Sequence, residues 1–127
     1  MREPGPDHPI TITPHRGRVR VMLNGVAVAE SRAALSLQEA TYPLVLYIPR
    51  ADADLSRFTK SARTSHCPYK GDASYFSLAI GDAARPDAVW SYEAPFPAVA
   101  AIAAHLAFYP DRVDAIETTQ EGGVSPE

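Results

Sequence analysis

The chain has 127 residues, of which 46% are hydrophobic and 21% are charged, and its formal net charge is −3. These values are typical of one soluble globular domain and argue against wholesale disorder. The single cysteine excludes an internal disulfide framework and a zinc site built from several cysteines. No apolar run reaches the ~20 residues that span a membrane, and the first residues lack the layout of a signal peptide, so we expect a cytoplasmic protein.

Charge is distributed unevenly along the chain. Residues 1–70 carry ten Lys or Arg against six Asp or Glu (+4), whereas residues 71–127 carry two against nine (−7). The stretch from Arg57 to Lys70 contains four basic residues and no acidic one. Such a stretch either concentrates a small anion or is a solvated loop. It is too short and too poor in aromatic residues to predict nucleic-acid binding.

The first predicted elements are a flexible segment and a hairpin. Residues 1–9 are rich in proline and are expected to be flexible, ahead of a single domain at 10–118 and a polar tail at 119–127. From Ile10 onward, apolar and polar residues alternate, which predicts strands with one buried face. Asn24-Gly25 interrupts this pattern and predicts a type I′ hairpin turn, because both residues tolerate the positive φ that this turn requires.

The rest of the domain predicts further short strands and one helix. Alternating or compact apolar segments predict strands at 34–39, 44–48, 73–80, 88–93 and 112–118. Residues 50–58 are expected to form a short helical turn or loop. Pro97 suits a first helical turn, and apolar residues recur at helical spacing after it, so an α-helix is predicted near 97–108. The sequence therefore predicts a mainly β fold, a compact antiparallel domain of about eight short strands with one covering α-helix.

The most distinctive stretch of the chain is His66-Cys67-Pro68-Tyr69-Lys70-Gly71. Cationic neighbours favour the thiolate form of a cysteine, so Cys67 is a candidate nucleophile or redox thiol. Lys70 could hold an anion, and Gly71 permits a close approach of the backbone. The alternative is a small buried cysteine in a tight loop, because free cysteine is among the most buried residue types.

A second group of candidate residues is aromatic. Trp90 and Tyr92 are two positions apart and so share one face of their predicted strand, and Phe108 and Tyr109 follow later in the chain. If Tyr75 lies on a paired strand, Tyr75, Trp90 and Tyr92 would wall a pocket that stacks on a planar or cationic ligand. The alternative is that these rings pack in the core.

Seven stretches of the chain together resemble one family. They run in order through residues 8–117: Arg18-Val19-Arg20-Val21, Asn24-Gly25, Ala29-Glu30-Ser31, Cys67-Pro68-Tyr69-Lys70-Gly71, Ala73-Ser74-Tyr75, Trp90-Ser91-Tyr92 with Pro95, and Ala107-Phe108-Tyr109-Pro110-Asp111-Arg112-Val113. The family they resemble is the bacterial domain-of-unknown-function family four-two-seven (DUF427), which also carries a nucleotidyltransferase label. The resemblance implies a β-rich, Mss4-like (β-tent) fold without the zinc-binding cysteines of that fold. It implies no established reaction, and the chain contains no nucleotidyltransferase motif.

These observations lead to three functional hypotheses. The first is a small-molecule-binding domain whose pocket holds an anionic or planar ligand. Its predicted ligand-binding residues are Cys67, Tyr69, Lys70, Gly71, Tyr75, Trp90 and Tyr92. The second is an enzyme that uses Cys67 as its nucleophile or redox thiol, and the third is a non-catalytic interaction module or homo-oligomer. No cofactor and no metal site are predicted, since the four histidines lack ligand spacing.

Overall fold

The computed structural model describes residues 1–119, and in this range the chain forms ten strands. They are β1 (Ile10–Pro14), β2 (Val19–Leu23), β3 (Val26–Ser31), β4 (Leu35–Glu39), β5 (Val45–Tyr47), β6 (Phe58–Cys67), β7 (Gly71–Ile80), β8 (Ala83–Ser91), β9 (Ala107–Phe108) and β10 (Ala115–Thr118). The predicted mainly β fold is confirmed. The predicted tail at 119–127 lies outside the described residues from residue 120 onward.

The strands pair antiparallel in three small sheets. Their orders are β10-β2-β3, β1-β4-β5 and β6-β7-β8-β9. The hairpin between β2 and β3 turns at Asn24, with φ of 51°, and Gly25, with φ of 78°, so the predicted type I′ geometry is confirmed. Short 3₁₀ turns occupy Arg50–Asp52, Leu55–Arg57 and Pro110–Arg112, the first two of them within the predicted helical turn or loop. Among the described helices, none is long and apolar enough to cross a membrane.

Two clusters of buried side chains hold the sheets together. The larger cluster joins β2 and β3 to the four-stranded sheet through residues such as Val21, Val28 and Val89. The smaller cluster joins the β1-β4-β5 sheet to the four-stranded sheet. Its buried members are Leu37, Tyr47, Ala73, Tyr75, Tyr92, Val99, Ile102 and Ala107. The rings in this second cluster include two of the predicted binding residues, which places them where the two sheets meet.

The predicted covering α-helix near 97–108 is wrong. The chain forms a kinked 3₁₀ segment at Pro97–Ile102, and Ala107–Phe108 is strand β9. Helical geometry ends at Ala103, with ψ of 130°, and Ala104, with φ of 61°. Hydrogen bonds to distant parts of the chain replace those of a helix: the Ala104 N–H donates to Tyr92, and Leu106 exchanges two hydrogen bonds with Ile48.

The helical spacing of apolar residues in this segment instead reflects the burial of their side chains in the core. Val99, Ile102 and Leu106 are all fully buried, so this segment supplies core side chains and presents none of these three to a partner.

The basic stretch from Arg57 to Lys70 is largely strand, which corrects its interpretation as a loop. Strand β6 spans Phe58–Cys67 and is an edge of the four-stranded sheet. Most of its residues are exposed, and its register against β7 shifts between Lys60 and Thr64. Charged side chains and register irregularities are common on edge strands, where they discourage pairing with another chain.

Candidate functional site

An open cleft lies between the β1-β4-β5 sheet and the four-stranded sheet. Its volume is about 330 Å³, within the ~300–1,000 Å³ usual for small-molecule sites. The lining residues come from β4, β5, β7, β8 and the loops beside them: Leu37, Glu39, Tyr42, Pro43, Val45, Tyr47, Lys70, Tyr75, Trp90, Tyr92 and Tyr109. We call this feature the aromatic cleft, because five of its side chains are tyrosine and one is tryptophan.

Aromatic side chains form its walls and fix one another's orientation. Tyr75 on β7 and Trp90 on β8 are direct partners in the sheet, so their rings share one face. The Trp90 indole N–H donates to the Tyr47 hydroxyl at 3.3 Å. The Tyr109 ring centre lies 4.4 Å from that of Trp90, with the planes tilted by 45°. Contacts with Tyr47 and Tyr109 therefore fix the orientation of the Trp90 ring, which remains partly exposed.

Three tyrosines of the cleft, Tyr47, Tyr92 and Tyr109, are neutral hydrogen-bonding groups. Burial raises the pKa of Tyr47 and that of Tyr109 to about 12 each, with Tyr75 contributing to the shift of Tyr109. Burial likewise raises the pKa of Tyr92. The Tyr75 hydroxyl lies 2.8 Å from Ser65 Oγ, a hydrogen bond that fixes the ring from the β6 side. At neutral pH the hydroxyls of Tyr47, Tyr92 and Tyr109 are protonated and so can donate as well as accept hydrogen bonds.

A buried ion pair between Lys70 and Glu39 closes one end of the aromatic cleft. Each residue is only 8% exposed, and Lys70 Nζ donates to Glu39 Oε1. Lys70 Nζ also lies 5.9 Å from the centre of the Tyr92 ring, within cation–π range. Because Glu39 balances the charge of Lys70, this end of the cleft offers both donors and acceptors without a free positive charge.

The segment before β1 covers this ion pair from outside. His8 Nε2 lies 2.8 Å from Glu39 Oε2, and the His8 ring stacks on Tyr69 with 3.9 Å between ring centres and 7° between planes. The Arg2 N–H donates to the Pro68 carbonyl at 2.7 Å. Residues 1–9, whose composition predicts flexibility, thus contact the connection between β6 and β7 at two points.

Four of the seven predicted binding residues lie together in the aromatic cleft, and three do not line it. Lys70, Tyr75, Trp90 and Tyr92 line the cleft. Cys67 is half-buried at the end of β6 and packs on the smaller core cluster, while Tyr69 stacks on His8. Gly71 has φ of 113°, and a side chain built there would meet the Pro95 and Phe96 backbone at 3.6 Å. Its close backbone approach is thus to the chain itself.

The histidine beside Cys67 is engaged elsewhere. His66 Nδ1 lies 2.7 Å from Asp72 Oδ1, its partner across the β6–β7 pairing, and both side chains are exposed. Cys67 pairs with Gly71 in the same ladder, and its carbonyl accepts a hydrogen bond from the Lys70 N–H. Since neighbouring residues on a strand point to opposite faces, His66 is not placed to act as a base for Cys67.

Sequence reasoning missed three residues that shape the site: Glu39, Tyr47 and His8. Glu39 ends β4 and faces Ile10 in the pairing with β1, while Tyr47 ends β5. Each of the three residues lies more than twenty positions in sequence from the side chains that it contacts in the site. One signal was available for Glu39, because a lysine inside an otherwise apolar β domain requires a carboxylate partner if it is buried.

The Glu39 carboxylate predicts a pH dependence of stability. Burial raises its pKa, but hydrogen bonds from Lys70 and His8 outweigh burial and hold the pKa below its ordinary value of 4.5. The folded chain therefore gains stability from Glu39 above pH 4.5 and loses it as the pH falls through the lower, folded value. Glu39→Gln is expected to be less stable at neutral pH and to show a flatter acid decline, measured as the urea midpoint against pH.

The matched control for this comparison is Glu3→Gln, because Glu3 is exposed. The control should follow the parent curve at every pH. Parallel acid declines of the parent and Glu39→Gln would show that the Glu39 carboxylate does not contribute to the pH dependence.

Within residues 1–119, no three His, Cys, Asp or Glu side chains are grouped as a metal site.

Comparison with known families identifies the chain. No curated protein was found to match the sequence. The family profile described as "Domain of unknown function (DUF427)" matches residues 11–119, which is most of the chain and includes every residue of the aromatic cleft. The chain belongs to this family, and its likeness to the Mss4-like fold stays a prediction.

Proposed function

We propose that this member of the DUF427 family binds a small planar ligand in the aromatic cleft. The ring of the ligand lies against Trp90 and the tyrosines, and its polar edge meets the Lys70–Glu39 pair. The observation that carries the proposal is the convergence of these side chains from two sheets on one open cavity of about 330 Å³. Binding sites for small molecules combine apolar and aromatic walls with a few fixed polar groups, as this cleft does.

The ion pair argues for a planar polar ligand over a simple anion. A free lysine would attract a carboxylate or phosphate, but the charge of Lys70 is balanced by Glu39 in direct contact. An added anion would meet the Glu39 carboxylate as well as the Lys70 ammonium. A neutral group with one donor and one acceptor, such as a carboxamide or the edge of a nucleobase, can bond to both without repulsion.

Cys67 is not used by this proposal. It does not line the aromatic cleft, and the adjacent histidine bonds to Asp72. The lysine and the aromatic rings therefore support binding independently of any chemistry at the thiol.

Matched planar probes test the proposal through the single tryptophan. Trp90 is the only tryptophan in the sequence, so the intrinsic fluorescence reports directly on the cleft. We expect nicotinamide and benzamide to change this fluorescence with a saturable dependence and to bind more tightly than nicotinate and benzoate.

The comparison also decides between the two ligand classes. Tighter binding of the carboxylates would show that Lys70 is free to hold an anion and would overturn the planar, neutral assignment. A linear, non-saturable response to all four probes would overturn the binding site itself.

A further inference from the structure

A second cleft lies directly beside the aromatic cleft. Its volume is about 500 Å³, and its walls are almost wholly apolar, with Leu44, Leu46, Phe108 and Ile116 among them. We call it the apolar cleft. It shares three lining residues with the aromatic cleft, namely Pro43, Val45 and Trp90, so the two cavities meet along a common border.

Strand β5 and its flanks form this border through the alternation of its side chains. Leu44, Leu46 and Ile48 line the apolar cleft, whereas Tyr47 lines the aromatic cleft and Val45 touches both. Successive side chains of a strand point to opposite faces, so one short strand supplies a wall to each cavity. A molecule that occupies both clefts has to cross only the border formed by Pro43, Val45 and Trp90.

The loop that leads into β5 places exposed apolar side chains at both openings. Tyr42, at the aromatic cleft, is 56% exposed, and Leu44, at the apolar cleft, is 53% exposed. They are two of the four large hydrophobic residues that are strongly exposed within residues 1–119. Apolar surface beside a cavity lowers the free energy of a ligand that covers it.

We propose that the ligand is amphipathic, with a planar polar head in the aromatic cleft and an aliphatic chain in the apolar cleft. This inference rests on the proposed function, because the head group is the ligand of that site. The two clefts differ in polarity as an amphipathic ligand requires. The Lys70–Glu39 pair lines only the aromatic cleft, and in the described part of the chain no charged side chain lines the apolar cleft.

A series of para-alkylbenzamides tests the inference by Trp90 fluorescence and calorimetry. Benzamide measures the head alone, and each longer alkyl chain adds methylene groups that the apolar cleft can bury. We expect affinity to rise about fourfold per added methylene until the cleft is filled. Probe concentrations are kept below those at which the longer members aggregate.

Two matched variants separate specific from general hydrophobic binding. Leu44→Asp places a charge in the apolar cleft and is expected to weaken the long-chain probes by about tenfold or more while leaving benzamide unchanged. Leu55→Asp is the control, because Leu55 is 48% exposed and does not line the apolar cleft. Its binding should match that of the parent for every probe.

The outcomes distinguish this inference from the proposed function. Saturable benzamide binding with no gain from chain length overturns the inference and leaves the proposed function intact. An equal loss in Leu44→Asp and Leu55→Asp also overturns the inference, because it assigns the chain-length effect to non-specific contact. If no member of the series binds, both proposals fail.

Discussion

Lys70→Met is expected to lower the free energy of unfolding by about 3–5 kcal/mol, because it leaves the buried Glu39 carboxylate with the His8 ring as its remaining partner and without its lysine cation. Both members of the pair are only 8% exposed, so water cannot take over the role of the missing partner. Methionine is unbranched and replaces the four-carbon stem of the lysine side chain atom for atom, without the ammonium group. The loss therefore reports the removal of the lysine charge from Glu39 more than a loss of packing. Urea denaturation at neutral pH measures it.

The control and the double variant make this result specific. Lys60→Met changes the same residue type at an exposed position of β6 and should stay within about 0.5 kcal/mol of the parent. The double variant Lys70→Met with Glu39→Leu removes both charges and should recover most of the lost stability. Equal effects of Lys70→Met and Lys60→Met would contradict the buried pair.

Trp90→Ala is expected to weaken binding of nicotinamide by about fivefold to 150-fold, because stacking of a flat ring on an aromatic side chain contributes about 1–3 kcal/mol. Trp90 touches both neighbouring aromatics of the cleft, so its removal also loosens Tyr47 and Tyr109. Calorimetry has to replace fluorescence for this variant. Trp90→Phe keeps a ring in place and should retain more of the affinity than Trp90→Ala does.

Phe58→Leu is the matched control for the loss of an aromatic side chain. Phe58 contacts Phe76 and Phe108 in the larger core cluster and does not line the aromatic cleft. Phe58→Leu should lower the free energy of unfolding without changing the affinity for nicotinamide. Unchanged nicotinamide affinity in folded Trp90→Ala would contradict a stacking role for Trp90.

The local parts of the fold could be predicted from the sequence because they depend on neighbouring residues. The turn at Asn24-Gly25 follows from backbone preferences. The pairing of Tyr75 with Trp90 is only a condition of the predicted pocket, because alternation along a strand does not determine which strand it pairs with. Glu39 could not be placed, because its position depends on where β4 packs against the β6–β7 connection. That arrangement is set by contacts across 31 residues of sequence.

The covering helix was mispredicted because tertiary hydrogen bonds override local periodicity. The spacing of Val99, Ile102 and Leu106 fits a helix, yet the first two lie in a kinked 3₁₀ segment and Leu106 lies beyond it, paired with Ile48. Arg50 explains part of the difference, because its Nε donates to the Ala104 carbonyl at 3.0 Å. The residue that fixes this segment lies more than fifty positions away, beyond the range of any periodicity argument.

The most direct test of a single ligand site in the aromatic cleft, lined by both Lys70 and Trp90, is the indole resonance of Trp90 in a nitrogen-15 labelled protein titrated with nicotinamide. The sequence contains one tryptophan, so the spectrum contains a single indole N–H signal and needs no assignment. The proposal predicts that this signal and the backbone signal of Lys70 shift together with one dissociation constant. If neither signal moves at saturating nicotinamide, or if Lys70 and Trp90 titrate with different constants, the claim of one planar-ligand site is contradicted.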